Sequence, residues 1–194
     1  MKALILSADN FEDSELLVPL YRLQEAGYEV EVAAGRHGTI HGKHGYEVRV
    51  GKSFTEVDPA DYGVLILPGG KAPAAIRDDP QAQEIARHFF ACDKPVGAIC
   101  HGPQTLISAG LLEGRRATCY RTVAKELEAA GALYEDREVV VDGQLVTSRQ
   151  PEDLPAFMRE LMRLVTHYAA IAPGGFWGDA ASIPLKLVGS RRRF

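Results

Sequence analysis

The chain has 194 residues, 46% of them hydrophobic and 25% charged, which is typical of an ordinary globular protein and argues against a disordered or membrane-embedded chain. Its formal net charge of −4 provides no broad attraction for nucleic acid, apart from the short arginine run 191–193, so we expect no nucleic-acid partner. The three cysteines (Cys92, Cys100 and Cys119) lack CxxC spacing, so we expect neither a disulfide framework nor a metal site, no cofactor, and a reducing, cytoplasmic compartment.

The first part of the chain predicts a strand, a helix and a second strand. Residues 4–8 form an apolar run that is too short for a signal-peptide core or a membrane span and is typical of a buried strand. Leucines at helical spacing follow in residues 16–23, and Gly27 is expected to end this helix. Pro19 lies inside the pattern and should bend the helix or confine it to its early turns. Residues 29–34 alternate polar with apolar side chains and complete a βαβ unit.

The middle of the chain predicts a hairpin and two further strands. The glycines of residues 41–45 suit a tight turn between two short strands, which we place at the periphery. Residues 64–67 are continuously apolar, as in a buried parallel strand, and open into the backbone-rich loop 68–70. Ligand sites in open α/β sheets collect at such strand ends. A helix over 81–91 and a second buried strand over 95–99 follow.

The later elements complete an alternating pattern. Helices are predicted from residue 103, over 122–130 and over 151–167, and a hairpin with an Asp-Gly turn over 139–146. Together these elements predict one α/β domain over residues 1–168. Its expected fold is a doubly wound, mostly parallel sheet with helices on both faces, a flavodoxin-like sandwich, with a peripheral hairpin.

Residues 169–194 have no regular period and are expected to lie outside this domain. Two interpretations stay open. The segment is either a loosely ordered tail or a docking arm whose Phe176 and Trp177 pack on the same or another subunit.

Cys100 stands at the end of a predicted buried strand and directly before a predicted helix. At such a turn, partially positive helix N–H groups and nearby loop amides favour a thiolate. Gly102 removes side-chain bulk near the turn and Pro103 suits the first helical turn, so the segment is the thiol counterpart of a nucleophile elbow. We therefore predict that Cys100 is a nucleophile. The other two cysteines are interpreted as small, buried packing residues.

Several segments together resemble the PfpI intracellular-protease family, within the superfamily that includes the parkinsonism-associated deglycase and class I glutamine amidotransferase-like domains. The resemblance covers about residues 1–167. Its markers are FEDSE at 11–15, GTI at 38–40, GKHG at 42–45, LPGG at 67–70, ICHGP at 99–103 and SR at 148–149 with the helix that follows.

The resemblance implies that Glu12 approaches the Cys100 sulfur and shares a proton with it, although its position suits a helix N-terminal acid equally well. It also implies that the backbone N–H groups of Gly70 and His101 form an oxyanion hole, and that His101 is a general acid or base. Two orientations of this imidazole stay open, towards Cys100 or towards a neighbouring loop. By the same analogy Tyr120 borders the pocket, unless it is only a half-buried packing group.

One position departs from the pattern. In the archaeal peptidase members of the family, a glutamate from a neighbouring subunit completes a Cys-His-Glu triad, and the matching position here is Ala74. Without that carboxylate the imidazole lacks its orienting partner. Asp78 or Asp79 would replace it only after a rearrangement of the loop.

Three functions remain open at this stage. The first is a cysteine-dependent stress-response enzyme, hydrolase-like or lyase-like, that acts on reactive carbonyls or glycated adducts as a glyoxalase or deglycase. The second is an intracellular cysteine peptidase, which Ala74 disfavours. The third is a non-catalytic redox-sensing or chaperone-like stress protein in which Cys100 is oxidised. The expected partners are small carbonyl compounds, modified or peptide substrates, and copies of the chain in a homodimer or larger homo-oligomer, with no membrane partner.

Overall fold

A central seven-stranded sheet carries helices on both of its faces. The computed structural model describes residues 1–171. The strands are β1 (Lys2–Leu6), β2 (Glu29–Ala34), β3 (Gly38–His41), β4 (Glu47–Val50), β5 (Lys52–Ser53), β6 (Tyr62–Leu67), β7 (Val96–Ile99), β8 (Arg116–Ala117), β9 (Leu133–Tyr134), β10 (Val139–Asp142) and β11 (Leu145–Ser148). The α-helices are α1 (Asp13–Glu25), α2 (Ala72–Ile76), α3 (Pro80–Ala91), α4 (Pro103–Ser108), α5 (Ala124–Ala129) and α6 (Leu154–Ile171), and short 3-10 turns cover Phe54–Glu56, Pro59–Asp61 and Pro151–Asp153.

The order of the strands confirms the predicted doubly wound topology. The sheet runs β10-β11-β7-β6-β1-β2-β5, and every neighbouring pair is parallel except β10 with β11. From β1 the chain first moves outward to β2 and later returns to β6 on the other side of β1, so the winding direction switches between β1 and β6. In open α/β sheets a crevice forms at the carboxyl ends of the strands beside such a switch. The predicted peripheral hairpin is the antiparallel pair β3 and β4.

Alternate side chains of β1 supply the two hydrophobic layers. Leu4 faces the layer that includes Phe89 of α3, whereas Ile5 faces the layer that includes Phe157 of α6. All four side chains are fully buried. Because successive residues of a strand point to opposite faces, a strand covered on both sides must be apolar throughout, as the continuous runs of β1 and β6 are.

Three details differ from the sequence predictions. Helix α1 continues through Pro19 to Glu25, because its buried face packs against the sheet and offsets the missing backbone hydrogen bond. Helix α6 extends to Ile171, past the expected domain boundary at 168, and the rest of the proposed tail lies outside the described residues. Helix α2 was not predicted, since its five residues are too few for a helical period. Within residues 1–171, no helix is both long and apolar enough to cross a bilayer.

Candidate active site

Cys100 occupies a strained turn between β7 and α4. Its φ of +63° lies in the left-handed region, which a side chain other than glycine rarely adopts. Two neighbouring segments hold the turn: the Cys100 N–H donates to the carbonyl of Ser148 at 3.0 Å, and its own carbonyl accepts from the N–H of Tyr120 at 2.9 Å. The backbone therefore has the predicted form of a nucleophile elbow.

The carboxyl group beside the Cys100 thiol belongs to Glu15, in the first turn of α1. Glu15 is fully buried, and its Oε2 accepts a hydrogen bond from the Gly69 N–H at 2.9 Å. The carboxyl group also acts on the pKa of the Cys100 thiol, and its buried Oε1 has no hydrogen-bond partner among residues 1–171. Burial raises the pKa of Glu15 to about 8. The side chain is therefore mainly protonated at neutral pH and can offer a proton to the sulfur.

The prediction that Glu12 fills this place is wrong. Glu12 immediately precedes α1, and its carboxylate lies 3.5 Å from the amines of Lys43 and the imidazole of His44 in the β3–β4 turn. Glu15 comes one helical turn later and shares the buried face of α1 with Pro19 and Leu23. That i, i+4, i+8 spacing was the signal in the sequence that pointed to Glu15. Glu12 still lines the cleft around Cys100.

Opposing effects act on the Cys100 thiol. Burial, and then the charge of Glu15, raises its pKa, while backbone N–H groups of Gly70 and His101 donate hydrogen bonds to the sulfur and lower it. Because Glu15 keeps its proton up to about pH 8, the repulsion between the two charges is relieved at neutral pH. The net effect raises the pKa of the Cys100 thiol, because burial outweighs the two amide donors. The expectation that the turn alone favours a thiolate is therefore wrong, and the thiolate forms only when a base removes the proton.

The imidazole of His101 is oriented towards Cys100. Its Nδ1 lies 3.2 Å from the sulfur, and its Nε2 lies 3.3 Å from Oγ1 of Thr122. Both orientations considered from the sequence are thus satisfied at once, because the two ring nitrogens face opposite ways. Burial lowers the pKa of His101, so the ring is a neutral proton acceptor near pH 7. The ring of half-buried Tyr120 packs on it, with centroids 5.2 Å apart.

Two glycines allow this close approach. A Cβ at Gly69 would lie 2.6 Å from both the Cys100 Cβ and Glu15 Oε2. Gly70 has a φ of +76°, and a Cβ there would come within 2.4 Å of the Glu12 nitrogen. The LPGG segment is consequently a structural requirement for bringing the carboxyl, the thiol and the Gly70 amide together.

An open cleft of about 960 Å³ leads to Cys100, and Ala74 is on its wall. Charged and amide side chains surround the cleft: Glu12, Lys43, His44, Lys71, Gln104, Gln150 and Glu152. The carboxylate of Asp79 caps α3 by accepting from the N–H groups of Gln81 and Ala82, so it is engaged away from His101. Within residues 1–171, no group of three or more His, Cys, Asp or Glu side chains is placed to hold a metal ion.

The other two cysteines differ from each other. Cys119 is buried, as expected of a packing residue, but the same prediction for Cys92 is wrong because its side chain is exposed. Cys92 follows directly after α3, beyond the buried face of that helix, and its sulfur lies 3.7 Å from Nε2 of His88.

A flavodoxin-like sheet that presents a cysteine on a strained strand-to-helix turn, beside a buried carboxyl group and two backbone donors, defines a class of α/β proteins with a cysteine nucleophile. The chain belongs to the DJ-1/PfpI family, whose model matches residues 1–164. It is 52% identical over 165 residues to the protein named Deglycase PfpI from Pyrococcus furiosus, covering 85% of this chain and 99% of the relative. It is 47% identical over 169 residues to Protein/nucleic acid deglycase 2 of Escherichia coli, covering 84% and 97%.

Solved structures of proteins with DJ-1/PfpI-like domains have the same fold as this chain. A two-domain protein from Anabaena variabilis, containing DJ-1/ThiJ/PfpI-like and ferritin-like domains, matches with a TM-score of 0.82 and 37% identity. The match covers 84% of this chain and 50% of the Anabaena chain. The predicted resemblance and fold class are both confirmed.

Proposed function

We propose that the protein is a cysteine-dependent deglycase that removes adducts of small dicarbonyl compounds and that also converts free methylglyoxal into lactate. The observation that carries this proposal is the Cys100 sulfur, which faces the Glu15 carboxyl and lies 3.2 Å from the His101 imidazole at the base of an open cleft. The names of the relatives from Pyrococcus and Escherichia coli support the same activity.

The first step is addition of the Cys100 sulfur to the aldehyde carbon of methylglyoxal. The neutral His101 Nδ1 accepts the thiol proton, the S–H electron pair forms the C–S bond, and the carbonyl π pair becomes an oxyanion. The N–H groups of Gly70 and His101 donate to the sulfur in the resting site. The oxyanion forms two bonds away from that sulfur, where the same N–H groups stabilise its charge. Return of the proton from His101 to the oxygen gives a neutral hemithioacetal.

The second stage moves hydrogen within the bound fragment. His101, neutral again, takes the proton from the former aldehyde carbon, and the C–H electron pair forms the carbon–carbon double bond of an enediolate as the ketone π pair moves onto its oxygen. The proton of the hydroxyl group on the former aldehyde carbon passes to this oxygen, and the former ketone carbon then takes the proton from His101, which leaves a lactoyl thioester. Water then adds to the thioester carbonyl, the C–S bond breaks, and the sulfur regains a proton. Methylglyoxal and water become lactate, with no net oxidation and no external electron acceptor.

A glycated amine reaches the same hemithioacetal by a different first step. The sulfur displaces the amine nitrogen from the carbinol carbon of the adduct, the C–N bond breaks, and the nitrogen leaves with a proton as the repaired amine. The fragment left on Cys100 is the same hemithioacetal. The open cleft, with its polar wall, can admit a side chain that carries such an adduct.

The peptidase hypothesis is less well supported by the site. Ala74 contributes no carboxylate to the cleft, and Asp79 is committed to its helix cap. Turnover of fluorogenic short peptides that is lost with Cys100→Ser would favour this second function.

The test of the proposed activity is formation of lactate from methylglyoxal, together with release of free N-acetylarginine from its preformed guanidine adduct with methylglyoxal. Lactate is the appropriate product because a bystander thiol only forms a reversible hemithioacetal. We expect both products from the unmodified protein and neither from Cys100→Ser. Cys92→Ser is the matched control, since it removes the exposed thiol, and it should keep full activity. Equal lactate formation by Cys100→Ser and the unmodified protein would overturn the proposal.

Two further properties complete the proposed function. Assembly into a homodimer or larger homo-oligomer is supported by the exposed side chains of Val18, Tyr21 and Tyr46, which lie on neighbouring parts of the surface, with the two phenol oxygens 2.7 Å apart. A molar mass of one chain by light scattering would refute it.

A cytoplasmic location is supported by three free cysteines and would be refuted by recovery outside the cytoplasmic fraction.

A further inference from the structure

A network of side chains outside the reacting groups holds a carboxylate against α4, the helix that begins two residues after His101. Glu126, on α5, pairs through Oε1 with Arg77 and accepts through Oε2 a hydrogen bond from Nε2 of Gln104 at 3.1 Å. Arg77 is itself fixed by donation from its Nε to Oγ of Ser108 at 2.9 Å. Both carboxylate oxygens are therefore engaged, and three separate elements set the position of the charge.

The network reaches the cleft through α4. Gln104 lines the cleft and lies three residues after His101, and its backbone N–H donates to the His101 carbonyl at 3.0 Å. Ala74, on the other side, offers no acid. The charge of Glu126 raises the pKa of His101 against the burial that lowers it, and His101 in turn lowers the pKa of Glu126 after Arg77 and Gln104 have done so.

We infer that Glu126 is a positioning residue that stabilises the positive charge His101 acquires when it accepts the Cys100 proton. In that transfer the S–H bond breaks, its electron pair stays on sulfur, and the proton binds Nδ1. The imidazolium then donates from Nε2 to Oγ1 of Thr122, while the carboxylate of Glu126 balances its charge through space. The inference rests on the proposed function for its effect on rate, but the electrostatic coupling exists without it.

Other charged or titratable groups also surround His101. Cys100 and Tyr120 contact the ring directly, and the guanidinium carbon of Arg121 lies 5.9 Å from the phenol centroid of Tyr120. Across the cleft stand Glu12, Glu15, Lys43, His44, Lys71 and Glu152. Apart from these groups, the charge of Glu126 raises the pKa of His101, so replacing Glu126 with a neutral residue should lower the pKa of His101 more than a change elsewhere.

The experiment is a titration of the His101 imidazole by NMR in the unmodified protein and three variants. Glu126→Gln keeps the shape and removes the charge, Glu126→Asp keeps the charge, and Glu128→Gln removes an exposed charge from the same helix as a matched control. We expect the His101 pKa to fall by about 0.5 unit or more in Glu126→Gln, and to stay close to the original value in the other two. We also expect kcat for lactate formation to fall about 3- to 10-fold in Glu126→Gln alone, with KM unchanged within about twofold.

The two readouts separate the inference from the proposed function. An unchanged His101 pKa in a folded Glu126→Gln protein would overturn the inference, and so would an equal shift in Glu128→Gln. A specific shift in a protein that forms no lactate would support the coupling and refute the proposed activity. If Glu126→Gln unfolds, Arg77→Gln is the second variant: it leaves the charge of Glu126 without its guanidinium partner, so the pKa of His101 should rise, and an unchanged pKa would overturn the inference.

Discussion

The carboxyl of Glu15 and the thiol of Cys100 meet where Gly69 has no side chain: a Cβ on that glycine would lie 2.6 Å from both the cysteine Cβ and the glutamate Oε2. Two acidic groups share one buried site, and the glutamate carries a pKa raised to about 8. This relationship makes the site sensitive to pH in a way that can be measured.

Glu15→Gln should change how stability depends on pH. An ordinary glutamate, as in the unfolded chain, ionises near pH 4.5, whereas Glu15 in the folded protein ionises near 8. The folded protein therefore holds an extra proton between these values, so its stability falls as the pH rises from about 4.5 to 8. Glutamine does not titrate. As the pH rises from 5 to 9, the free energy of unfolding of Glu15→Gln should therefore increase by about 2–4 kcal/mol relative to that of the unmodified protein. Thermal unfolding at these two values tests this, and a constant difference in Tm would contradict it.

Reactivity of Cys100 should respond to Glu15 and hardly at all to Glu12. The charge of Glu15 raises the pKa of the Cys100 thiol. Above pH 8, Cys100 should therefore be alkylated several-fold faster in Glu15→Gln than in the unmodified protein. Glu12→Gln, whose carboxylate pairs with the β3–β4 turn, should stay within about twofold. The rate is measured by mass spectrometry of the Cys100 peptide, with Cys92→Ser in every variant to remove the exposed thiol. Equal effects of the two substitutions would be evidence against the assignment of Glu15.

Gly69→Ala should damage the site more than the fold. Its new methyl group would collide with both the Cys100 Cβ and Glu15, so one of them must move. We expect loss of at least about tenfold in kcat for lactate formation and about 1–3 kcal/mol in stability. Gly35→Ala is the control, because no atom lies within 4 Å of a Cβ there. Full activity of Gly69→Ala would show that the thiol and carboxyl need not be this close.

Asp79→Ala should lower stability without lowering activity. Its carboxylate accepts from two N–H groups at the start of α3, a cap whose loss typically costs about 1 kcal/mol. Asp78→Ala, at the exposed neighbouring position, should have a smaller effect on the denaturant midpoint. Lactate formation should be the same in both variants. A selective loss of kcat in Asp79→Ala would instead indicate that this acid takes part in the reaction.

Local patterns in the sequence were enough to predict much of the fold and the position of Cys100 in it. The apolar runs of β1, β6 and β7 can be buried on both faces only in a parallel sheet with helices on either side. Cys100 follows such a run and precedes Gly102 and Pro103, so its place on a strand-to-helix turn is a local property. The glycines at 69 and 70 were likewise visible as an opening at the end of β6.

The side chains that surround Cys100 could not be predicted in the same way, because they come from segments that are far apart in the chain. Glu12 and Glu15 are both acids after β1, and the direction in which each leaves the backbone is decided by the rotation of α1 as it packs on the sheet. Likewise, Glu126 and Arg77 come together only because α5 and α2 pack around α4. The prediction that Cys92 is buried is wrong for the same reason, because the burial of an isolated cysteine depends on which neighbours cover it.

Residue types and their local spacing were sufficient to predict the α/β architecture, the turn that carries Cys100 and the family resemblance. The packed structure was needed to show that Glu15 faces the thiol, that His101 turns its Nδ1 towards the sulfur, and that Ala74 lies on the wall of the cleft. Hydrogen bonds and electrostatic interactions act over a few ångströms, and chain order does not specify which distant side chains come within that range.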